Sequence, residues 1–201
     1  MPLAPDAPTH KTLVLLGQPN AQSLCGALAD AYAAGAREAG SDVEVLRLGD
    51  LDFDPILHHG YEQIQQLEPD LLRAQELLRS ADQLCLVTPI WWGTYPALLK
   101  GFFDRTLLPG FAFQYDKPGR QKRLLKGRQA RMIITGDSPW LWLKFVVGDS
   151  TVAALRNSTL RFCGYRPVRV TRYSPVRGST AERRAKWIAS AHELGRSDHA
   201  G

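Results

Sequence analysis

Three cysteines in 201 residues, an odd number without Cys-x-x-Cys spacing, give no basis for a disulfide framework or a cysteine-built metal site. Cys25, Cys85 and Cys163 each sit beside apolar residues and read as reduced core thiols. No apolar run approaches the roughly 20 residues of a membrane span, so no membrane insertion is expected. The opening Met-Pro-Leu-Ala-Pro-Asp-Ala-Pro-Thr-His lacks the basic end and apolar centre of a signal peptide. Residues 1–10 therefore read as a loose tail, 197–201 as another, and the expected location is the cytoplasm. Neither Gly-x-Gly-x-x-Gly nor Gly-x-x-x-x-Gly-Lys-Ser/Thr occurs, which removes the dinucleotide Rossmann site and the P-loop. No serine, histidine and acid spacing marks a hydrolytic triad, so no catalytic side chain is nominated. His58 and His59 are adjacent and on a strand would face opposite ways, so no metal site is nominated either.

An acidic excess is also missing, because the formal net charge is +5. The basic run Lys117, Arg120, Lys122, Arg123, Lys126, Arg128 and Arg131 has only Tyr115 nearby to stack and no nucleic-acid fold pattern around it. It reads as solvated surface, or as a patch that attracts an anionic cofactor, and no nucleic-acid partner is expected.

What the chain does contain is a repeated unit: a short β-rich run, a turn, then an amphipathic helix. Strands are expected at Thr12–Leu16, Val43–Leu48, Leu84–Thr88, Arg131–Thr135 and Val168–Tyr173, the first four being near-continuous apolar runs of the kind covered on both faces. Apolar stripes mark the helices: Leu24, Ala27, Leu28, Ala31 and Tyr32; Leu71, Leu72, Leu77 and Leu78; Tyr95, Leu98, Leu99, Phe102 and Phe103; and Val152, Leu155, Thr159 and Cys163. Gly40 and Gly164 stand where helix ends want glycine, and Ser179-Thr-Ala-Glu182 reads as a capping box opening a last helix with Trp187 on its core face. At this length the pattern predicts a single α/β domain over residues 11–196: a five-stranded parallel sheet in flavodoxin-like order 2-1-3-4-5, in a three-layer sandwich with helices on both faces. The ligand crevice of that topology lies at the carboxyl ends of the first, third and fourth strands.

Three loops meet there. Gly17-Gln-Pro-Asn-Ala-Gln-Ser-Leu24 sets small and amide-bearing residues against a helix amino end, a natural phosphate seat to which Gln18, Asn20 and Ser23 add side-chain donors; the alternative is ordinary capping by Asn20 or Ser23. Pro89-Ile-Trp-Trp-Gly-Thr-Tyr95 puts Trp91 and Trp92 in a connection, where wide faces suit a planar ring, the alternative being core packing. Gly136 to Gly148 carries Trp140, Leu141, Trp142, Leu143, Phe145, Val146 and Val147, too many apolar groups for an exposed loop; they fold onto a ligand, form core, or are covered by a second subunit. Aromatic walls, a phosphate seat and no nucleophile point to a bound redox ring that carries the chemistry itself.

Pro89-Ile-Trp-Trp-Gly-Thr-Tyr-Pro-Ala-Leu-Leu-Lys-Gly-Phe-Phe-Asp-Arg105, followed by Pro109-Gly-Phe-Ala-Phe113, resembles the signature of the flavodoxin-like NAD(P)H dehydrogenase (quinone) family, which includes DT-diaphorase and the potassium-efflux ancillary oxidoreductases. The likeness spans about residues 12 to 172. It implies that Gln18, Asn20, Ser23 and Leu24 hold the phosphate of FMN or FAD, that Pro89, Ile90, Trp91, Trp92 and Gly93 hold the isoalloxazine ring, and that Thr135, Gly136 and Asp137 meet its far edge. Trp140 and Trp142 are then candidates for the substrate pocket. DT-diaphorase-like members carry a glycine-rich third loop followed by a tyrosine and a histidine; here Gly136-Asp-Ser-Pro-Trp140 replaces it and no histidine follows before His192, so that proton relay is not carried over. The activity implied is oxidation of NAD(P)H through flavin N5, with a quinone or similar small acceptor reoxidising the ring in turn; the apolar patch of Trp140, Leu141, Trp142, Phe145 and Val146 separately leads to the expectation of a homodimer closed by the third loop and the next helix. Two alternatives stay open: a non-enzymatic electron carrier of flavodoxin type, and a redox-gated regulatory subunit of a membrane transporter.

Overall fold

A computed structural model describes residues 10–117, 120–139 and 148–198. Strands β1 (Lys11–Leu16), β2 (Asp42–Arg47), β3 (Gln83–Pro89), β4 (Phe113–Lys117), β5 (Arg120–Arg123), β6 (Gln129–Thr135) and β7 (Val168–Tyr173) alternate with helices α1 (Leu24–Glu38), α2 (Pro69–Ser80) and α3 (Ala97–Thr106). A fourth helix, α4, runs through Ser150–Val152, a π-helical stretch Ala153–Leu160, and Arg161–Cys163; α5 is Ala181–Ser197. The main sheet is parallel in the order β2-β1-β3-β6-β7, the expected 2-1-3-4-5 order once the separate β4-β5 pair is set aside.

Alternation along the central strands explains the three layers. Leu13 and Leu15 of β1 and Leu84 and Leu86 of β3 face a core completed by Leu71 and Leu78 of α2, Leu99 and Phe102 of α3 and Leu155 of α4. Val14, Leu16, Cys85 and Val87 face the other way, onto Leu28 and Tyr32 of α1 and Ala191 of α5. Strands buried on both faces need apolar residues at every position, which is why β1 and β3 read as continuous runs. Edge strand β2 keeps Asp42, Glu44 and Arg47 because one of its sides is open.

Several expectations need correction. The basic segment is not only a connection: Phe113–Lys117 and Arg120–Arg123 pair antiparallel with a register shift between Tyr115 and Lys117. Its side chains are mostly exposed, so no apolar alternation marks it. The cap of α5 is Thr180, whose hydroxyl accepts from the Arg183 amide, whereas Ser179 donates to Val176 O, so the box sits one residue later than expected and lacks an acid at the reciprocal position. Residue 10 is not loose, since His10 O accepts from the amide of Asp42 (2.9 Å) and the hydroxyl of Ser41 (2.6 Å). Residues 1–9 and 199–201, the remainder of the two expected tails apart from 197 and 198, lie outside the described residues.

At the other end α5 continues to Ser197, and the side chain of Asp198 is almost wholly buried. Its carboxylate takes both forks of the Arg131 guanidinium and the hydroxyl of Tyr32 at 2.8 Å. Burial alone would raise the Asp198 carboxyl, but the hydrogen bonds and charge of Arg131, with Tyr32 and Arg169, outweigh it and hold it below the usual carboxylate range. A depressed carboxyl contributes stability above its unfolded value, near about 3.9, and loses it as pH falls through the lower folded value. Asp198→Asn should cost roughly 2 kcal/mol at neutral pH. It should also flatten the acid limb of a stability-versus-pH curve measured by urea unfolding.

Candidate functional site

β1 ends at Leu16; the next amide, of Gly17, still reaches Val87 O at 2.8 Å, and the chain then turns away from the sheet. Gln18 is buried, and its side-chain amide donates to Asn20 O at 3.1 Å and to Ser23 Oγ. Both amide hydrogens are thus used inside the loop, so Gln18 shapes the seat from behind. Ser23 caps α1 by accepting from the Gly26 amide at 3.1 Å. As it already accepts two hydrogen bonds, its own hydroxyl proton is left to donate outward. The first-turn amides of Leu24 and Cys25 have no intrahelical acceptor and add to this positive end. Asn20 is exposed, its Oδ1 taking the Gln22 amide at 2.9 Å, which leaves its side-chain amide hydrogens as available donors. Close packing holds the turn in place: a Cβ at Gly26 would stand 1.8 Å from Ala21 O.

The second loop leaves β3 through Ile90, whose amide donates to Thr135 O at 2.7 Å. Trp91 and Thr94 then exchange backbone hydrogen bonds of 2.7 and 3.0 Å around Trp92 and Gly93, with φ of 52° and 73°. A tight turn of this hand wants small residues at both central positions, and a tryptophan there carries backbone strain of about 1 kcal/mol. Its indole recovers nothing from packing, since Trp92 is fully exposed and Trp91 is 46% exposed. Core packing, the bland alternative for these two residues, is ruled out. The turn is instead gripped from the start of α4, where Ser150 Oγ and Thr151 Oγ1 both donate to Gly93 O, at 2.7 and 2.9 Å.

At the third loop Thr135 and Asp137 are engaged internally. Thr135 Oγ1 lies 3.1 Å from Cys25 Sγ, and Asp137 Oδ1 accepts from the Arg177 amide at 2.7 Å. Gly136 bridges to β7 and its extension, through Tyr173 O and the Val176 amide. With Thr135 O also taken by the Ile90 amide, most polar groups of this stretch are spent within the protein, and what it offers a ligand edge is close backbone approach at Gly136. Burial pushes the Cys25 thiol up to about 11 despite the Thr135 hydrogen bond, which agrees with a packing role and leaves no thiolate nucleophile here. Trp140 and Trp142 lie outside the described residues.

One wall escaped sequence reasoning. The tryptophans open on a cleft of about 870 Å³ shared with Pro55, Ile56 and the α3 residues Ala97 and Gly101. Helix α3 reaches Pro55 only because residue 101 is glycine; a Cβ there would lie 2.5 Å from Pro55 O. The segment is held by Arg105, completely buried, which donates to Asp54 O, to Gln66 O at 2.8 Å and to both Glu68 carboxylate oxygens at 3.2 and 2.8 Å. The signal was present as an arginine three residues after Phe102, on the apolar stripe of α3.

These groups fit a flavin. The helix amino end, the Ser23 hydroxyl and the Asn20 amide form a donor set suited to a phosphate, the exposed indoles suit a flat ring, and Gly136 lies beside Ile90 at the carboxyl edge of the sheet from which all three loops leave.

Comparison with known proteins agrees with this architecture. The family described as Flavodoxin-like fold matches residues 10–194. A Haemophilus influenzae protein named "Uncharacterized NAD(P)H oxidoreductase" is 32% identical over 159 residues, covering 76% of this chain and 77% of that one. Human ribosyldihydronicotinamide dehydrogenase [quinone] is 34% identical over 143 residues, 68% of this chain but 61% of the human protein, so the chain spans less than two thirds of that relative's length. In fold, the chain is like an FMN-dependent NADH-azoreductase of Bacillus anthracis solved with FMN, with a TM-score of 0.77 at 18% identity over 96% of this chain and all of the other. The chain belongs to the flavodoxin-like family, among relatives named NAD(P)H oxidoreductases and quinone dehydrogenases.

Proposed function

We propose that this chain is a flavin-dependent oxidoreductase that takes electrons from NAD(P)H and delivers them to quinones or similar small acceptors. The observation that carries the reading is the Trp92 turn: a fully exposed indole on a strained backbone, clamped from α4, following a strand paired with the one that leads into the phosphate-type seat. Strain of this kind persists where the surroundings enforce it, and it clusters at ligand sites. Bound FMN or FAD supplies the two-electron chemistry, accepting and returning hydride equivalents. The chain's own part is positional. Ser23, Asn20 and the α1 amides anchor the phosphate; Pro89 to Gly93 set the plane of the ring; backbone groups at Thr135 to Asp137 border its far edge; the tryptophans exclude water. No side-chain acid or base is needed for the hydride step at this site.

NAD(P)H and acceptor use one face in turn, so double-reciprocal plots with a water-soluble quinone should be parallel. Converging lines contradict the shared face, and absence of NAD(P)H oxidation by flavin-loaded protein contradicts the activity. Trp92→Ala should weaken flavin retention or slow turnover, because Trp92 has no packing to lose. Trp187→Ala, which removes contacts with Tyr173 (5.7 Å) and Arg183 (5.0 Å), should lower stability and leave flavin affinity intact. The reading includes a homodimer closed by the third loop and α4, with Trp140 and Trp142 at the substrate side; a monomer that is fully active in light-scattering conditions contradicts that element.

A further inference from the structure

Thirteen residues, 116–128, hold six cations and one acid, Asp116, so this segment carries the whole formal net charge of +5 and the rest of the chain is neutral. Lys117, Arg120, Lys122 and Lys126 are exposed, and among the described residues none of the six cations is in an ion pair. The β4-β5 pair fixes them in space: Gln121 Nε2 donates to Phe162 O at 2.9 Å, turning one face onto α4, so the alternate positions Arg120 and Lys122 face outward. Arg128 donates to Arg79 O at the end of α2, which joins the cations to an apolar groove of about 510 Å³. Its rim includes Ile64, 97% exposed, and Leu72, half exposed.

We infer that this face adsorbs peripherally to an anionic lipid surface. Its chemistry is two-fold: cations for phosphate headgroups, and exposed aliphatic side chains that enter the headgroup boundary. A second copy of the chain fits poorly, because a two-fold contact would set like charges opposite each other. Nucleic acid fits less well than lipid. The only exposed ring on the pair is Tyr115, packed edge-on to Phe113 at 5.7 Å, and Ile64 and Leu72 would find no partner on a phosphate backbone. The surface stands on its own observations; its use, presenting the redox site to lipid-dissolved acceptors, rests on the function proposed above.

The test is sedimentation of the full flavin-loaded chain with vesicles of equal parts phosphatidylcholine and phosphatidylglycerol, against pure phosphatidylcholine. Binding to the anionic vesicles alone is expected, falling as salt rises. The triple variant Arg120→Gln, Lys122→Gln, Lys126→Gln should bind about 100-fold more weakly, at roughly five-fold per charge. Ile64→Ser should also weaken binding. NAD(P)H oxidation with a water-soluble quinone should be unchanged in these variants, since none of these residues belongs to the site. Protein that stays in the supernatant with anionic vesicles at low salt, that binds both vesicle types equally, or that binds duplex DNA or single-stranded RNA more tightly than vesicles, overturns the inference. Vesicle binding without any NAD(P)H oxidation leaves the surface standing and overturns the enzymatic reading instead.

Discussion

Replacing Arg105 with leucine should destabilise the fold by about 3 to 5 kcal/mol, the range for breaking one side of a buried ion pair. The guanidinium is completely buried and satisfies Asp54 O, Gln66 O and both oxygens of the Glu68 carboxylate. Without it two carbonyls and a partly buried charge are stranded together, and leucine supplies no donor. Burial pushes the Glu68 carboxyl upward, but its backbone hydrogen bonds and Arg105 hold it below the usual range. Combining Arg105→Leu with Glu68→Leu should recover part of the loss, because the uncompensated charge is removed while the carbonyls stay unpaired. Urea unfolding of the three proteins measures this. A loss below about 1 kcal/mol in the single variant contradicts Arg105 as the hub of the Pro55–Ile56 wall.

Gly26→Val should reduce flavin affinity by about 100-fold or more while the chain stays folded, since displacement of a site group by about an ångström has consequences of that order. The added Cβ would lie 1.8 Å from Ala21 O, so the turn through Ser23 must move. The core face of α1, carried by Leu28 and Tyr32, is untouched. Gly40→Ala is the control. Residue 40 has φ of 86° at the end of α1 with nothing near its Cβ direction, so alanine should cost about 1 kcal/mol of stability without changing flavin affinity. Flavin fluorescence titration reads the first effect and thermal melting the second. Unchanged flavin affinity in Gly26→Val contradicts the phosphate seat.

The main sheet was readable because β1, β3 and β6 are covered on both faces, which forces apolar residues into short runs at regular spacing between helical stripes. The crevice followed from topology. The loop residues were readable as chemistry but not as geometry: Gln18, Thr135 and Asp137 looked like ligand groups, yet each spends its side chain on the protein. Contacts between distant segments left no local trace. The grip of Ser150 and Thr151 on Gly93 spans more than fifty residues, and the union of Asp198 with Arg131 turned an expected tail into part of the core. The β4-β5 pair was hidden because its strands bury almost nothing, so their composition follows charge rather than packing.

Flavin stoichiometry tests the central claim most directly. The chain, purified with FMN and FAD present and then denatured, should release one flavin per chain, identified by its visible absorbance and its mass. Gly26→Val prepared in the same way should release little. A folded chain that retains no flavin, or a Gly26→Val protein that retains as much as the parent, contradicts the site assembled from the loops after β1, β3 and β6.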